Sequence, residues 1–149
     1  MEEVNREDWK EKMKELLYLL RAMHIYSHNC HHLVKGPLFF GDHSFFGSTY
    51  EGLLSDYDSV AERIVGMYGE DPLQLQELMT GVMSKLQGCP SVGADDKAFF
   101  EHQLILETKL TDLIKKIVDV GVSNGTEQLI TEIANKSEPR KYFIKQRLK

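Results

Sequence analysis

His31-His32-Leu33-Val34-Lys35-Gly36-Pro37-Leu38-Phe39-Phe40-Gly41-Asp42-His43, followed at a distance by Asp58 and Glu62, is the stretch on which both the fold and the chemistry turn. His31 closes one helical pattern, and Lys35-Gly36-Pro37 breaks it before a second begins near Asp42 and His43 and runs to about Tyr68. Two imidazoles and two carboxylates are transition-metal ligand types. Asp58 and Glu62 are one turn apart on the second helix and share a face. His43 lies fifteen residues before Asp58, roughly 22 Å along the axis at about 1.5 Å per residue. Metal–ligand bonds are about 2 Å long, so the four side chains cannot meet within one copy. At about 100° per residue, His43, Asp58 and Glu62 nevertheless fall within roughly 100° of each other on the helix wheel. An antiparallel two-fold pairing of this helix with its copy satisfies both constraints. His31 and His43 of one chain then meet Asp58 and Glu62 of the other, giving two identical sites per dimer. Glu51, within about 80° of His43 and near the middle of that pairing, is expected to approach its own copy.

Outward from this stretch the chain reads as helices. Trp9, Met13, Leu16, Leu20, Met23 and Ser27 step by four and three, which predicts a first helix from about Arg6 to His32 with Asn5 as its cap. The second, from about Asp42, ends where Gly69-Glu70-Asp71-Pro72 turns the chain. Asp71-Pro72 reads as the cap and first turn of a short helix reaching about Leu86. Gln87 to Gly93 is a loop. Phe99, Leu106, Leu110, Leu113, Ile117 and Val120 keep the helical period in a third long helix, which Asn124-Gly125 is expected to stop. Thr126 is expected to cap a fourth helix through about Asn135, and Pro139 to kink or restart it before Tyr142. The fold class is all-α: a four-helix bundle with a short extra helix between the second and third, in one domain over residues 1–149.

The segment from His31 to His43, continued by Tyr50 and by Asp58-Ser59-Val60-Ala61-Glu62-Arg63-Ile64, closely resembles the signature of the Dps family, the DNA-protection-during-starvation proteins or miniferritins. The match is dense from about His28 to Ile64 and faint elsewhere. The resemblance implies a ferritin-like subunit, a hollow shell of twelve copies, and a ferroxidase centre shared across each two-fold interface. It makes His31, His43, Asp58 and Glu62 the ligands of an iron centre, Fe(II) going to Fe(III), with peroxide the family's usual oxidant.

Two positions depart from the family. A tryptophan usually follows the first ligand histidine, and here it is His32; an acidic residue usually stands four after the second, and here it is Gly47. The missing carboxylate is expected to weaken one of two iron positions. Either His32 compensates, or the centre holds one tight iron and one transient one. His24, His28 and His31 form one stripe; such a stripe is commonly a mixture of core and surface imidazoles, though His28 stands where it can orient His31 or accept a proton. Phe39-Phe40 and Phe45-Phe46 read as packing residues. Cys30 lies about 100° off His31 on the wheel and reads as a small buried hydrophobe.

A chain of 149 residues with 42% hydrophobic residues can bury a core, and no apolar run approaches the ~18 residues of a membrane span. The N-terminus is polar and acidic, without the apolar core of a signal peptide, and two cysteines make no disulfide framework. A reducing cytoplasm is the expected setting. A larger ferritin or bacterioferritin would need Glu-x-x-His pairs, and no histidine here has a glutamate three residues before it. DNA binding is the competing reading. The net charge of −5 opposes it, while Lys136, Arg140, Lys141, Lys145, Arg147 and Lys149, against Glu138 alone, make a basic C-terminal segment that also suits a helix C-terminus. A shell with slow oxidation is a third reading, motivated by Gly47. Glu127 and Glu132 are candidates for a cavity or pore wall.

Overall fold

Because leucine, methionine and alanine favour helix and recur every three to four residues near the N-terminus, the chain opens with a long helix, α1 (Glu2–Leu33). The computed structural model describes residues 2–149, with side chains from Glu7 onward. Met13, Leu16, Leu20, Met23 and Ser27 are fully buried, as their period requires, and Leu17, Leu19, Ala22, Tyr26 and Cys30 are buried as well. A helix apolar over more than one face belongs in the centre; α1 accordingly touches three other helices. It starts before Arg6, so Asn5 falls inside it rather than capping it, and the side chain of Asn5 lies outside the described residues.

The second helix, α2 (Phe39–Tyr68), begins three residues earlier than Asp42. The Asp42 N–H already donates to Leu38 O at 3.0 Å, so Phe39, Phe40 and Gly41 form the first turn after Leu38 at the cap position. The short helix expected from Asp71 is divided. A 3₁₀ turn (Asp71–Leu73) seats a buried Pro72, and α3 (Leu75–Lys85) starts afresh. Its cap is Gln74, whose side-chain oxygen accepts from the Glu77 N–H at 2.9 Å and takes the place expected of Asp71.

In α4 (Asp96–Val120), Phe99, Leu106, Leu110 and Ile117 are buried, with Leu113 and Val120 half-buried. It ends at Gly121, whose φ of +101° suits glycine, three residues ahead of the expected Asn124-Gly125 stop. Those two residues instead form the first turn of α5 (Asn124–Arg147). Ser123 caps α5, its hydroxyl accepting from the Thr126 N–H at 3.3 Å, and Thr126, expected in that role, is buried one turn in.

Helix α5 runs unbroken through Asn135 and Pro139, against the expected kink. Pro139 forfeits one backbone bond, but both it and Asn135 are exposed, so the freed carbonyl lies where solvent can reach it. The residues on either side are fastened. Fully buried Glu107 of α4 accepts from Ser137 Oγ (2.7 Å), Arg140 Nε (2.7 Å), Arg140 Nη2 (2.8 Å) and its own neighbour Gln103 Nε2 (2.8 Å). Lys136 pairs with Asp56 of α2 at 2.7 Å. Contacts of α1 with α2 and α4, and of α5 with α4 and α2, close a four-helix bundle, with α3 laid on α1. No described helix is long and apolar enough to cross a membrane.

Candidate metal centre

Where α1 ends, its last carbonyls lose their helical partners, and this places the first half of the centre. The Lys35 N–H, which a longer helix would give to His31 O, donates to Asp96 Oδ2 of α4 at 3.1 Å. The His31 carbonyl is left to accept from His43 Nδ1 at 2.6 Å. In return His31 Nδ1 donates to the His43 carbonyl at 2.7 Å. The two rings lie face to face, centroids 3.7 Å apart and 16° from parallel. A carbonyl can only accept, so each Nδ1 carries a proton, and in the neutral ring Nε2 is then the nitrogen with the lone pair that binds a metal. Phe39 stacks on the outer face of His43 at 4.8 Å, while Phe40, read as packing, is 85% exposed. Phe45 and Phe46 pack on Phe100.

Gly47 has a role beyond a missing carboxylate. It lies one turn after His43, and a Cβ there would stand 3.0 Å from His31 Cε1 and 3.2 Å from Nδ1. The His31 ring fills the space a side chain would occupy, and the bare α-carbon is what lets it reach the His43 carbonyl.

Asp58 and Glu62 are exposed further along α2 and make no hydrogen bond or salt bridge among the described residues. Among those residues no three His, Cys, Asp or Glu side chains converge: one chain brings His31 and His43 together and leaves the two acids apart. Glu51, Glu127 and Glu132 are exposed. Cys30 is buried, and burial pushes its thiol up to about 12.

The histidine stripe expected as His24, His28 and His31 continues through His32 instead, because the His31 ring turns to His43. His24, His28 and His32 follow at four-residue steps, with centroids 6.0 and 4.8 Å apart, and Tyr50 of α2 stacks on His28 at 4.1 Å and stands 5.3 Å from His31. Burial, with Arg21 beside it, holds His24 below the usual histidine value, and burial with His32 and His31 nearby does the same for His28. The i, i+4 spacing was visible; Tyr50 at its centre was not, because that contact crosses between helices.

Compared with known protein families, residues 10–149 match the ferritin-like domain model. The chain belongs to the ferritin-like family. A comparison with curated proteins finds no sequence match. Among solved structures this ferritin-like chain is similar to Dps from Thermosynechococcus elongatus, with a TM-score of 0.88 at 17% identity over 98% of this chain and 93% of that one. Dps from Staphylococcus aureus gives 0.83 at 20% identity over 96% of each chain. Dps92 from Deinococcus radiodurans gives 0.83 at 19% over 95% of this chain and 86% of that one. At such identities the likeness establishes the ferritin-like fold in its Dps form, and the chemistry has to be argued from the side chains.

Proposed function

We propose that this protein is a Dps-type miniferritin. It takes Fe(II) as substrate at centres built from His31 and His43 of one copy and Asp58 and Glu62 of another, oxidises it, and stores the ferric product in a closed shell of twelve copies. The observation that carries this reading is the reciprocal His31–His43 pair, which leaves both Nε2 atoms free of hydrogen bonds where α1 meets α2, while Asp58 and Glu62 further along α2 make no hydrogen bond or salt bridge among the described residues. Donor chemistry fits the substrate. Imidazole and carboxylate suit iron, and negative carboxylates stabilise Fe(III) over Fe(II), which drives oxidation forward. Two Fe(II) ions supply one electron each; peroxide accepts both, its O–O bond breaks, and hydrolysis of the Fe(III) releases protons. The centre is mononuclear or dinuclear, since Gly47 supplies no carboxylate. Glu127 and Glu132 are candidates to receive the product.

Assembly has independent support. Leu75, Met79 and Met83 recur every four residues along α3, 62%, 41% and 60% exposed, an apolar stripe that one copy leaves uncovered. The free cysteines suit a reducing cytoplasm. DNA binding ranks second because most of the basic C-terminal segment is engaged within the fold. Arg147 holds Asp42, Arg140 holds Glu107, Lys136 holds Asp56, and Lys141 donates to Thr111.

Absorbance of ferric product after Fe(II) addition, compared with peroxide and with air, tests the activity. Rapid oxidation, faster with peroxide, is expected, and no rate above that of protein-free buffer would refute it. A sedimentation mass near twelve times 17.1 kDa is expected for the shell; a stable monomer would remove both shell and shared centre.

A further inference from the structure

His28 and His32 stand one turn apart near the end of α1, outside the four ligands assigned above. Their ring centroids are 4.8 Å apart, and side chains at this spacing share a helix face, so one nitrogen of each can reach an ion at about 2.0–2.1 Å. Unlike His31 and His43, neither ring makes a hydrogen bond among the described residues. Tyr50 stacks on His28 at 4.1 Å and 29° from parallel, which limits the freedom that ring would lose on binding. His32 is exposed, and both histidines border a cavity of about 430 Å³ that Asn29 and Cys89 also line, with room for an ion and its waters.

We propose that His28 and His32 form a second metal site in each chain, a two-imidazole chelate for a late first-row divalent ion. Nitrogen ligands without a carboxylate favour Cu²⁺, Ni²⁺ and Zn²⁺ over Fe²⁺, with Cu²⁺ bound most tightly. Because no three metal-binding side chains converge among the described residues, water completes the coordination and the ion exchanges readily. The site lies beside the first, with the His31 and His32 centroids 5.2 Å apart, yet uses a different donor set. It stands whether or not the protein oxidises iron.

Cu²⁺ added below one equivalent per chain to the metal-free assembled protein tests this by electron paramagnetic resonance, which counts coordinated nitrogens. In the His31→Gln, His43→Gln background, which removes the competing imidazole pair of the first centre, a two-nitrogen signal is expected, and adding His32→Gln or His28→Gln is expected to remove it, with helix content by circular dichroism unchanged. A signal retained on adding His32→Gln would overturn the proposal, as would the absence of protein-bound copper in the double variant. His32→Gln alters an exposed side chain and keeps the test decisive even if His28→Gln misfolds.

Discussion

The His31 ring lies over Gly47 so closely that a Cβ on Gly47 would stand 3.0 Å from His31 Cε1. This contact couples an unremarkable helix position to the orientation of a candidate ligand. In Gly47→Ala the methyl would displace the ring by a few tenths of an ångström and weaken the bond from His31 Nδ1 to the His43 carbonyl. Replacing a helical glycine by alanine gains roughly 0.5–1 kcal/mol, so the melting temperature should hold or rise while iron oxidation slows several-fold. Stopped-flow absorbance and calorimetry on the same preparation check both; an unchanged rate would detach the ring's position from the chemistry.

Division of the centre between copies is tested by complementation. His31→Ala with His43→Ala empties one half, Asp58→Ala with Glu62→Ala the other, and each double variant alone should lose most rapid oxidation. In randomly mixed shells roughly half the dimers pair one of each and regain one whole centre of two, so about a quarter of wild-type activity should return. No recovery in verified mixed shells would mean that the four residues do not act across a two-fold contact.

Glu107 is fully buried and depends on Arg140 for its countercharge. Arg140→Ala should therefore cost about 3–5 kcal/mol, since an unpaired buried carboxylate remains. Replacing both by methionine should cost less than Arg140→Ala alone. Urea unfolding of the three proteins orders them, and an Arg140→Ala loss below about 1 kcal/mol would show that Ser137 and Gln103 suffice.

His102 contributes to acid stability, with His24 and His28 shifted in the same direction. Its Nε2 stands 3.1 Å from Cys89 Sγ; burial, then Lys109, holds its pKa below 6.5, and burial raises that of Cys89, so the contact joins a neutral thiol and a neutral imidazole. As pH falls through 6.5 the unfolded chain takes up its proton first, and stability is lost toward and through the lower folded value. His102→Gln should flatten the fall in unfolding free energy between about pH 7 and pH 5; an unaltered slope would assign it to other groups.

Alkaline behaviour has the opposite sign. The Cys30 thiol titrates near 12 when folded against 9.0 for the free group, so the unfolded chain releases its proton first and stability declines as pH rises above 9.0. Cys30→Ala should remove part of that decline, measured by denaturant unfolding across the range. Under native conditions a thiol reagent should leave Cys30 unmodified, and labelling of Cys30 as fast as in denaturant would contradict its burial.

Local pattern in the sequence determined the helices and the faces they bury. Met13, Leu16, Leu20 and Met23 went inward because burial follows the helical period, and Tyr68 ended α2 because Gly69 follows it. The same arithmetic kept His43 from Asp58 and Glu62 within one copy while leaving them on a common side of α2. It failed at Asn124-Gly125 and at Pro139, where propensity competes with contacts from elsewhere: Gly121 had already ended α4, and Ser137 and Arg140, fastened to Glu107, carry α5 past its proline. Only the tertiary structure decided the reciprocal hydrogen bonds of His31 and His43, the seat of the His31 ring on Gly47, Tyr50 against His28, and Arg147 on Asp42 across 105 residues. Periodicity reports which face of a helix turns inward, whereas the partner it meets there depends on how far each helix slides and rotates against the next, and that is set by the packing of the whole core.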